Sequence, residues 1–177
     1  SPFYNRLFWV TQCVVVGMLF SFPFQGYALV SITFSTLHIV CSYFFAYAIW
    51  KDLNVKNELI RFLVKTALVF MLLSTIGIWC LGPAVGMMGK ASAFYQVAIQ
   101  FFLHFQFNGW FLIAVLALLF HQLKIEPSAH SKRFTQVLIG GTVLTLALPV
   151  QWYVNHTFFL YINALGIALQ LWTLFLF

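Results

Sequence analysis

Six long apolar runs are the feature that most constrains the fold of this sequence. They lie at about residues 6–22, 27–50, 62–81, 92–121, 134–150 and 157–177. A helix needs about 20 apolar residues to cross a bilayer, and it satisfies its own backbone polar groups in lipid. The runs are continuous, whereas the strands of a membrane barrel would be short and alternating. The sequence therefore predicts an all-α, polytopic membrane helix bundle with about six transmembrane helices.

The composition indicates the same class of protein. Of 177 residues, 63% are hydrophobic and only 7% are charged, whereas soluble domains carry about 25% charged residues. A soluble fold of this length could not bury so much apolar surface, so the expected partner is the lipid bilayer. Because no linker divides the chain and residue 1 is Ser, we expect a single transmembrane helical domain over residues 1–177, or a fragment of a longer chain.

Glycine and proline mark the expected ends of several runs. Residues 22–26 (Phe-Pro-Phe-Gln-Gly) should separate the first run from the second. Gly82 and Pro83 are expected to end the third run, and Pro149 is expected to bend or end the fifth.

The basic residues predict the topology. Eight of the nine Lys and Arg residues flank the first run or lie near the loops after the second and fourth runs, and Lys90 alone falls on the other side. This asymmetry follows the positive-inside rule, so both ends of the chain are expected in the cytoplasm, most simply at a bacterial inner membrane. The net charge of +6 is then a topology signal, and we do not expect nucleic acid as a partner.

Polar residues share one face in each of two runs. Steps of four residues, or of four, three and four, place such sets on one side of a helix. The sets are Ser31, Ser35, His38 and Ser42 in the second run, and Gln96, Gln100, His104 and Asn108 in the fourth. Gln106 lies off this face and is expected to pair with another helix. Gly109 is expected to lie where a helix or ligand approaches closely.

The two histidines predict a cofactor site. His38 and His104 lie at similar depth, roughly 16–18 Å into their helices, and neutral imidazole ligates haem iron or copper. Ser35, Ser42, Gln100 and Asn108 are candidates for fixing the ring tautomers. His156, at the outer end of the sixth run, is a further candidate metal ligand. The alternative is that these polar residues only hydrogen-bond between helices, at about 0.6 kcal/mol each.

Several classes of function lack their usual residues. The three carboxylates, Asp52, Glu58 and Glu126, lie outside the apolar runs, whereas proton-coupled pumps normally carry a carboxylate within the membrane. No nucleophile elbow or phosphate-binding loop is present. The three cysteines are widely spaced within apolar runs and predict no disulfide framework.

The segment "FYQVAIQFFLHFQFNGWFLIAVLALLF", residues 94–120, resembles a motif in uncharacterised multi-helix membrane proteins of Bacteroidota. Those proteins are distantly similar to haem-copper oxidase catalytic subunits and to NnrS-type haem-copper proteins. In the oxidases, histidines on membrane helices ligate haems and copper, and the resemblance implies that role for His38 and His104. The chain departs from the oxidases in its fewer helices and in lacking their paired copper histidines and cross-linking His–Tyr spacing.

Three hypotheses of function follow. The first is an integral membrane redox protein that binds haem or copper between helices two and four, as an electron-transfer or oxidase-like subunit. The second is a non-catalytic accessory subunit held in a larger complex with other membrane subunits. The third is a small-molecule channel or carrier whose polar faces line the path. The sequence identifies no catalytic residue under any of them.

Overall fold

The computed structural model describes residues 2–26 and 28–176. Over these residues the chain is helical apart from short connections, and no strand occurs. The α-helices are α1 (Pro2–Gln25), α2 (Leu29–Asp52), α3 (Glu58–Met88), α4 (Ala93–His104), α5 (Leu112–Gln122), α6 (Ala129–Thr145), α7 (Ala147–Val154) and α8 (Phe158–Leu176). A π-helix (Phe105–Phe111) joins α4 to α5. The prediction of an all-α fold is confirmed.

Within the described residues, six helical stretches are long and apolar enough to cross a membrane. Helices α1, α2, α3 and α8 each form one of them. The other two are composite: α4, the π-helix and α5 run together over Ala93–Gln122, and α6 and α7 run together over Ala129–Val154. Each stretch contains most of one predicted apolar run. The chain is therefore an integral membrane protein whose apolar helices contact the lipid bilayer.

The chain divides into two compact units, residues 1–53 and 54–177. The first unit is the hairpin of α1 and α2, in which Gly17 lies directly against the ring of Phe34. The Tyr4 hydroxyl donates a hydrogen bond of 2.9 Å to the Asp52 carboxylate and so links the start of α1 to the end of α2. That the two units form a single transmembrane domain stays a prediction.

The core of the second unit is built on α3. Leu63 of α3 and Ile113 of α5 have no exposed surface, and both belong to one buried apolar cluster with Phe105 of the π-helix. The rings of Phe70 and Phe105 stack with centroids 5.3 Å apart. In lipid, such helix pairs are held by close packing rather than by exclusion of water, so this cluster fixes α3 against α4, the π-helix and α5.

Glycines set how closely the helices of the second unit approach. A Cβ added at Gly77 of α3 would lie 2.5 Å from the Ala98 carbonyl oxygen of α4. At the crossing of α6 and α8, a Cβ at Gly141 would lie 3.0 Å from the Gly166 carbonyl oxygen. Small residues at membrane helix crossings allow such backbone contacts.

The expected end of the third run at Gly82 and Pro83 is wrong. Helix α3 continues through Pro83 and ends at Met88, followed by Gly89 with φ of +79°. Proline removes one backbone hydrogen bond but does not have to end a membrane helix, since neighbouring groups can satisfy the freed carbonyl. The left-handed conformation of Gly89, which glycine adopts without strain, is what ends the helix.

The expected bend at Pro149 is confirmed. Helix α6 ends at Thr145 and α7 begins at Ala147, so the interruption falls at Leu146. Thr145 precedes Pro149 by four residues, and its carbonyl is the one with which the proline ring clashes. The Leu146 N–H turns to the Val143 carbonyl at 3.4 Å. The Thr142 carbonyl, which Leu146 would bond in a regular α-helix, is thereby freed.

Candidate functional site

The polar face of the fourth membrane stretch lines an open groove in the second unit. Three members of the predicted set, Gln100, His104 and Asn108, contribute to its wall. Gln96 does not, because its side chain donates to the Lys90 carbonyl at 3.2 Å and so closes the loop before α4. The groove is therefore lined by the last three members of this polar face.

The π-helix keeps this face aligned. Hydrogen bonds in a π-helix run from residue i to i+5, so each residue turns by less than in an α-helix. The turn after His104 offsets the drift of a four-residue spacing and leaves Asn108 next to the imidazole. The same turn places the Gln106 amide against the Ser74 hydroxyl of α3 at 2.8 Å. The prediction that Gln106 pairs with another helix is confirmed.

The π-helix also places Gly109 against helix α3. A Cβ added there would lie 2.8 Å from the Phe70 ring, which confirms the predicted close approach and shows that the neighbour is α3. π-helical turns often occur at functional sites. Here the turn directs Gly109 and Gln106 to the core while Asn108 remains on the groove.

Both ring nitrogens of His104 are engaged within the protein. Nε2 lies 2.7 Å from the carbonyl oxygen of Thr142, and a carbonyl can only accept, so Nε2 carries the proton. Nδ1 then accepts from the Asn108 amide at 3.3 Å. The Thr142 carbonyl has lost the Leu146 N–H as a donor, and it accepts instead from the His104 imidazole and from the Thr145 hydroxyl at 3.1 Å.

A polar face on α8, which the sequence analysis missed, forms the opposite wall. Asn163, Gln170 and Thr173 line the groove, with Gly166 on the same face at the crossing with α6. Their spacing of three, four and three residues is the same kind of signal that revealed the faces of the second and fourth runs. It was overlooked because this helix carries no histidine or charge.

The groove has a volume of about 910 Å³, within the range typical of small-molecule sites. Pro149, Trp152 and Tyr153 of α7 also line it. Apolar side chains contribute most of the remaining wall: Leu103, Phe107, Leu112, Leu138, Leu148 and Ile167. No charged side chain lines the groove among the residues the structure describes.

Two amides in the groove have no protein partner. Asn163 is only 8% exposed, and neither its side chain nor that of Gln100 makes a hydrogen bond to any described residue. An amide offers two N–H donors and a carbonyl acceptor. Leaving these groups unpaired away from water is costly, so the groove presents hydrogen-bonding capacity that a bound molecule or water can use.

The predicted site residues of the second run lie in the first unit. His38 is half-buried on α2 and makes no hydrogen bond to the described residues of its unit. The Ser42 hydroxyl donates to the Ile39 carbonyl of its own helix at 2.7 Å. Ser35 is half-buried. The pairing of His38 with His104 stays a prediction.

His156 lies in the turn between α7 and α8 and is exposed. Its Nδ1 accepts a hydrogen bond of 3.2 Å from the Phe158 N–H at the start of α8. This is the role of a helix cap, which satisfies one of the free N–H groups of a first turn. The imidazole does not line the groove.

A haem or copper ion bound to His104 would have to displace one of the two hydrogen bonds that the imidazole makes. His104 is the imidazole that lines it, and a ligand bond to Nε2 would have to replace the Thr142 carbonyl. Among the described residues there is no group of three or more His, Cys, Asp and Glu side chains able to hold a metal. A ligand bond to Nδ1 would require Asn108 to turn away.

Comparison of the chain with protein-family models, curated proteins and solved structures finds no match. The resemblance of the segment around His104 to haem-copper oxidases therefore stays a hypothesis. The function has to be inferred from the groove itself.

Proposed function

We propose that the second unit binds a small amphipathic molecule in its groove and that the chain acts as a membrane-embedded binding protein or carrier. The observation that carries this proposal is the meeting of two polar helix faces, from α4 and α8, on one groove of about 910 Å³. Polar side chains within membrane helices are costly and commonly face a cavity or a substrate path.

The position of the groove supports a ligand drawn from the bilayer. His104 follows the first residue of its membrane stretch, Ala93, by 11 residues, or roughly 16 Å at 1.5 Å per residue. That depth is near the middle of a hydrocarbon core of about 30 Å. At this depth a lipid-soluble molecule is able to reach the groove directly from the bilayer.

The chemistry of the wall supports binding rather than catalysis. The lining offers amides, hydroxyls, aromatic rings and one imidazole that already holds two hydrogen bonds. A general base needs a nitrogen free to accept a proton within reach of the substrate. Such walls, mostly apolar with a few placed polar groups, are typical of ligand sites.

The distribution of Lys and Arg residues supports the membrane topology that we propose for this binding protein or carrier. With both ends of the chain on the cytoplasmic side, as in a bacterial inner membrane, Trp152 and Tyr153 lie towards the outer surface. Aromatic side chains are common at that level of a membrane. Association with other membrane subunits is compatible with this function and forms part of the same proposal.

A groove-filling substitution tests the proposal. Ile167→Trp places an indole in the groove, whereas Leu165→Trp adds the same side chain at an exposed position of α8 outside it. We expect Ile167→Trp to lower binding of monoolein, measured by native mass spectrometry, at least about tenfold, and Leu165→Trp to leave it unchanged. Equal binding by both variants would reject the groove as the site.

A further inference from the structure

We infer that the groove selects an uncharged, hydrogen-bonding headgroup on a hydrocarbon tail, and that Gln100 and Asn163 are the residues that recognise the head. This inference rests on the proposed function and names the ligand class of the same site. It follows from which polar groups of the wall are already satisfied and which are not.

Most polar side chains of the groove are occupied by partners in the protein. The His104 imidazole bonds Thr142 and Asn108. The Thr173 hydroxyl donates to the Gln170 carbonyl at 2.6 Å, and the Gln170 amide lies 3.5 Å from the Thr145 hydroxyl. Each of these side chains therefore already has at least one partner in the protein, within its own helix or on a neighbouring one.

Asn163 and Gln100 are the two amides of the groove that make no hydrogen bond to the described part of the chain; Trp152 and Tyr153 also line it without a side-chain hydrogen bond there. Asn163 is more than nine-tenths buried, at 8% exposure, yet its amide bonds no residue in the described part of the chain. Gln100, which contributes to the same groove from α4, is half-buried and equally without a partner there. Two free amides on different helices can bond a hydroxyl or carbonyl, since each both donates and accepts.

The wall argues against a charged head. Over the described residues, its polar groups are all neutral side chains, with no Lys, Arg, Asp or Glu among them. Burying an ion far from water without a counter-ion costs several kcal/mol or more. A neutral head loses far less on entry, and the amides replace the hydrogen bonds that it gives up.

The rim of the groove suits a hydrocarbon tail. Phe107, Leu112 and Leu148 line the groove and are also exposed, at 60%, 40% and 47%. An aliphatic tail that lies along these side chains presents an apolar surface to the surrounding lipid. The ligand class is therefore a monoacylglycerol-like molecule, with a polar but uncharged head and a flexible apolar tail.

Three probes with similar tails separate the contributions of head and tail. Monoolein has a neutral hydroxyl head, lysophosphatidate has an anionic head, and 1-octadecene has none. We expect wild-type protein to bind lysophosphatidate at least about tenfold more weakly than monoolein. Equal affinity for the neutral and anionic probes would overturn the inference.

Two substitutions test the amides. Gln100→Leu and Asn163→Leu should each weaken monoolein binding about three- to tenfold and leave 1-octadecene binding unchanged. Gln96→Leu is the control, because that amide bonds Lys90 and lies outside the groove. Unchanged monoolein affinity in both groove variants would overturn the assignment of the head site.

Stability separates recognition from structure. Because neither amide bonds the protein, its replacement by leucine should leave the thermal unfolding temperature without ligand unchanged or raised. A clear fall would overturn the inference by showing that the amide holds the fold. If none of the three probes binds in a way that Ile167→Trp prevents, the proposed function itself fails.

Discussion

The Nε2 nitrogen of His104 lies 2.7 Å from the carbonyl oxygen of Thr142, beside the interruption of the helix that Pro149 produces at Leu146. The imidazole and the Thr145 hydroxyl, which lies 3.1 Å from the same oxygen, are the donors that this carbonyl has in place of the Leu146 N–H. This relationship gives a half-buried histidine of a membrane helix a structural role, and the same residue lies on the wall of the groove.

The bond between His104 and Thr142 predicts a coupling between distant positions of the sequence. His104→Ala should cost about 0.6–1.7 kcal/mol of unfolding free energy, the range for hydrogen bonds between membrane helices. In a Pro149→Ala background the helix can form its regular bond from Leu146 to Thr142, so His104→Ala should cost less. Unfolding in bicelles of the four proteins of this double-mutant cycle measures the coupling. Additive effects would contradict the proposed link.

The contact of Gly109 predicts an effect of steric crowding. Gly109→Ala places a methyl group 2.8 Å from the Phe70 ring, and such overpacking typically costs about 1–3 kcal/mol. Phe70→Leu should relieve part of that cost. Gly140→Ala is the matched control, because nothing lies within 4 Å of its added Cβ. The measurement is thermal stability in detergent. An equal fall for Gly109→Ala and Gly140→Ala would contradict the close contact between Gly109 and Phe70.

The membrane stretches could be predicted from the sequence because a helix that crosses lipid needs a certain length and an apolar composition. Both properties can be recognised in each apolar run by itself. The polar face around His104 and the pairing of Gln106 followed from helical spacing in the same way. Pro83 was misjudged because a proline can end a helix or be accommodated within it, and only the surrounding packing decides between them.

The partners of the polar face could not be predicted. Nothing in the spacing of Gln100, His104 and Asn108 reveals that Thr142 loses its backbone partner through a proline seven residues later in the chain. The π-helix is equally invisible in the sequence, although it determines that Asn108 and not Gln106 reaches the groove. The polar face of α8 has the spacing of three and four residues that also marks the face around His104, but it carries no histidine or charge.

The charge asymmetry predicts a topology that labelling can test. In a background without Cys13, Cys41 and Cys80, cysteines at Asn54 and Ala129 should be protected from an impermeant maleimide in intact cells. A cysteine at Met87, which is 81% exposed at the end of α3, should react. Labelling of the first two and protection of the third would reverse the orientation.

The redox hypothesis predicts a colour or a metal. Under this hypothesis, protein expressed with haem and copper supplied should show a Soret band or bound copper. His38→Ala and His104→Ala should each abolish this cofactor binding, and the double variant should lose no more than either single one. The engaged nitrogens of His104 lead us to expect a colourless, metal-free protein instead. An absorption spectrum with metal analysis decides the matter, and a Soret band lost in both variants would favour the redox hypothesis over the carrier.

The most direct test of the groove is to locate a bound lipid by photo-crosslinking. We would irradiate the protein with a monoacylglycerol that carries a diazirine in its tail, with and without excess monoolein, and map the labelled residues by mass spectrometry. The account predicts that the labelling removed by monoolein falls on the apolar lining residues Leu103, Phe107, Leu112, Leu148 and Ile167, and that Ile167→Trp abolishes it. Competed labelling confined to exposed side chains outside the groove, such as Val69 and Leu118, would contradict it.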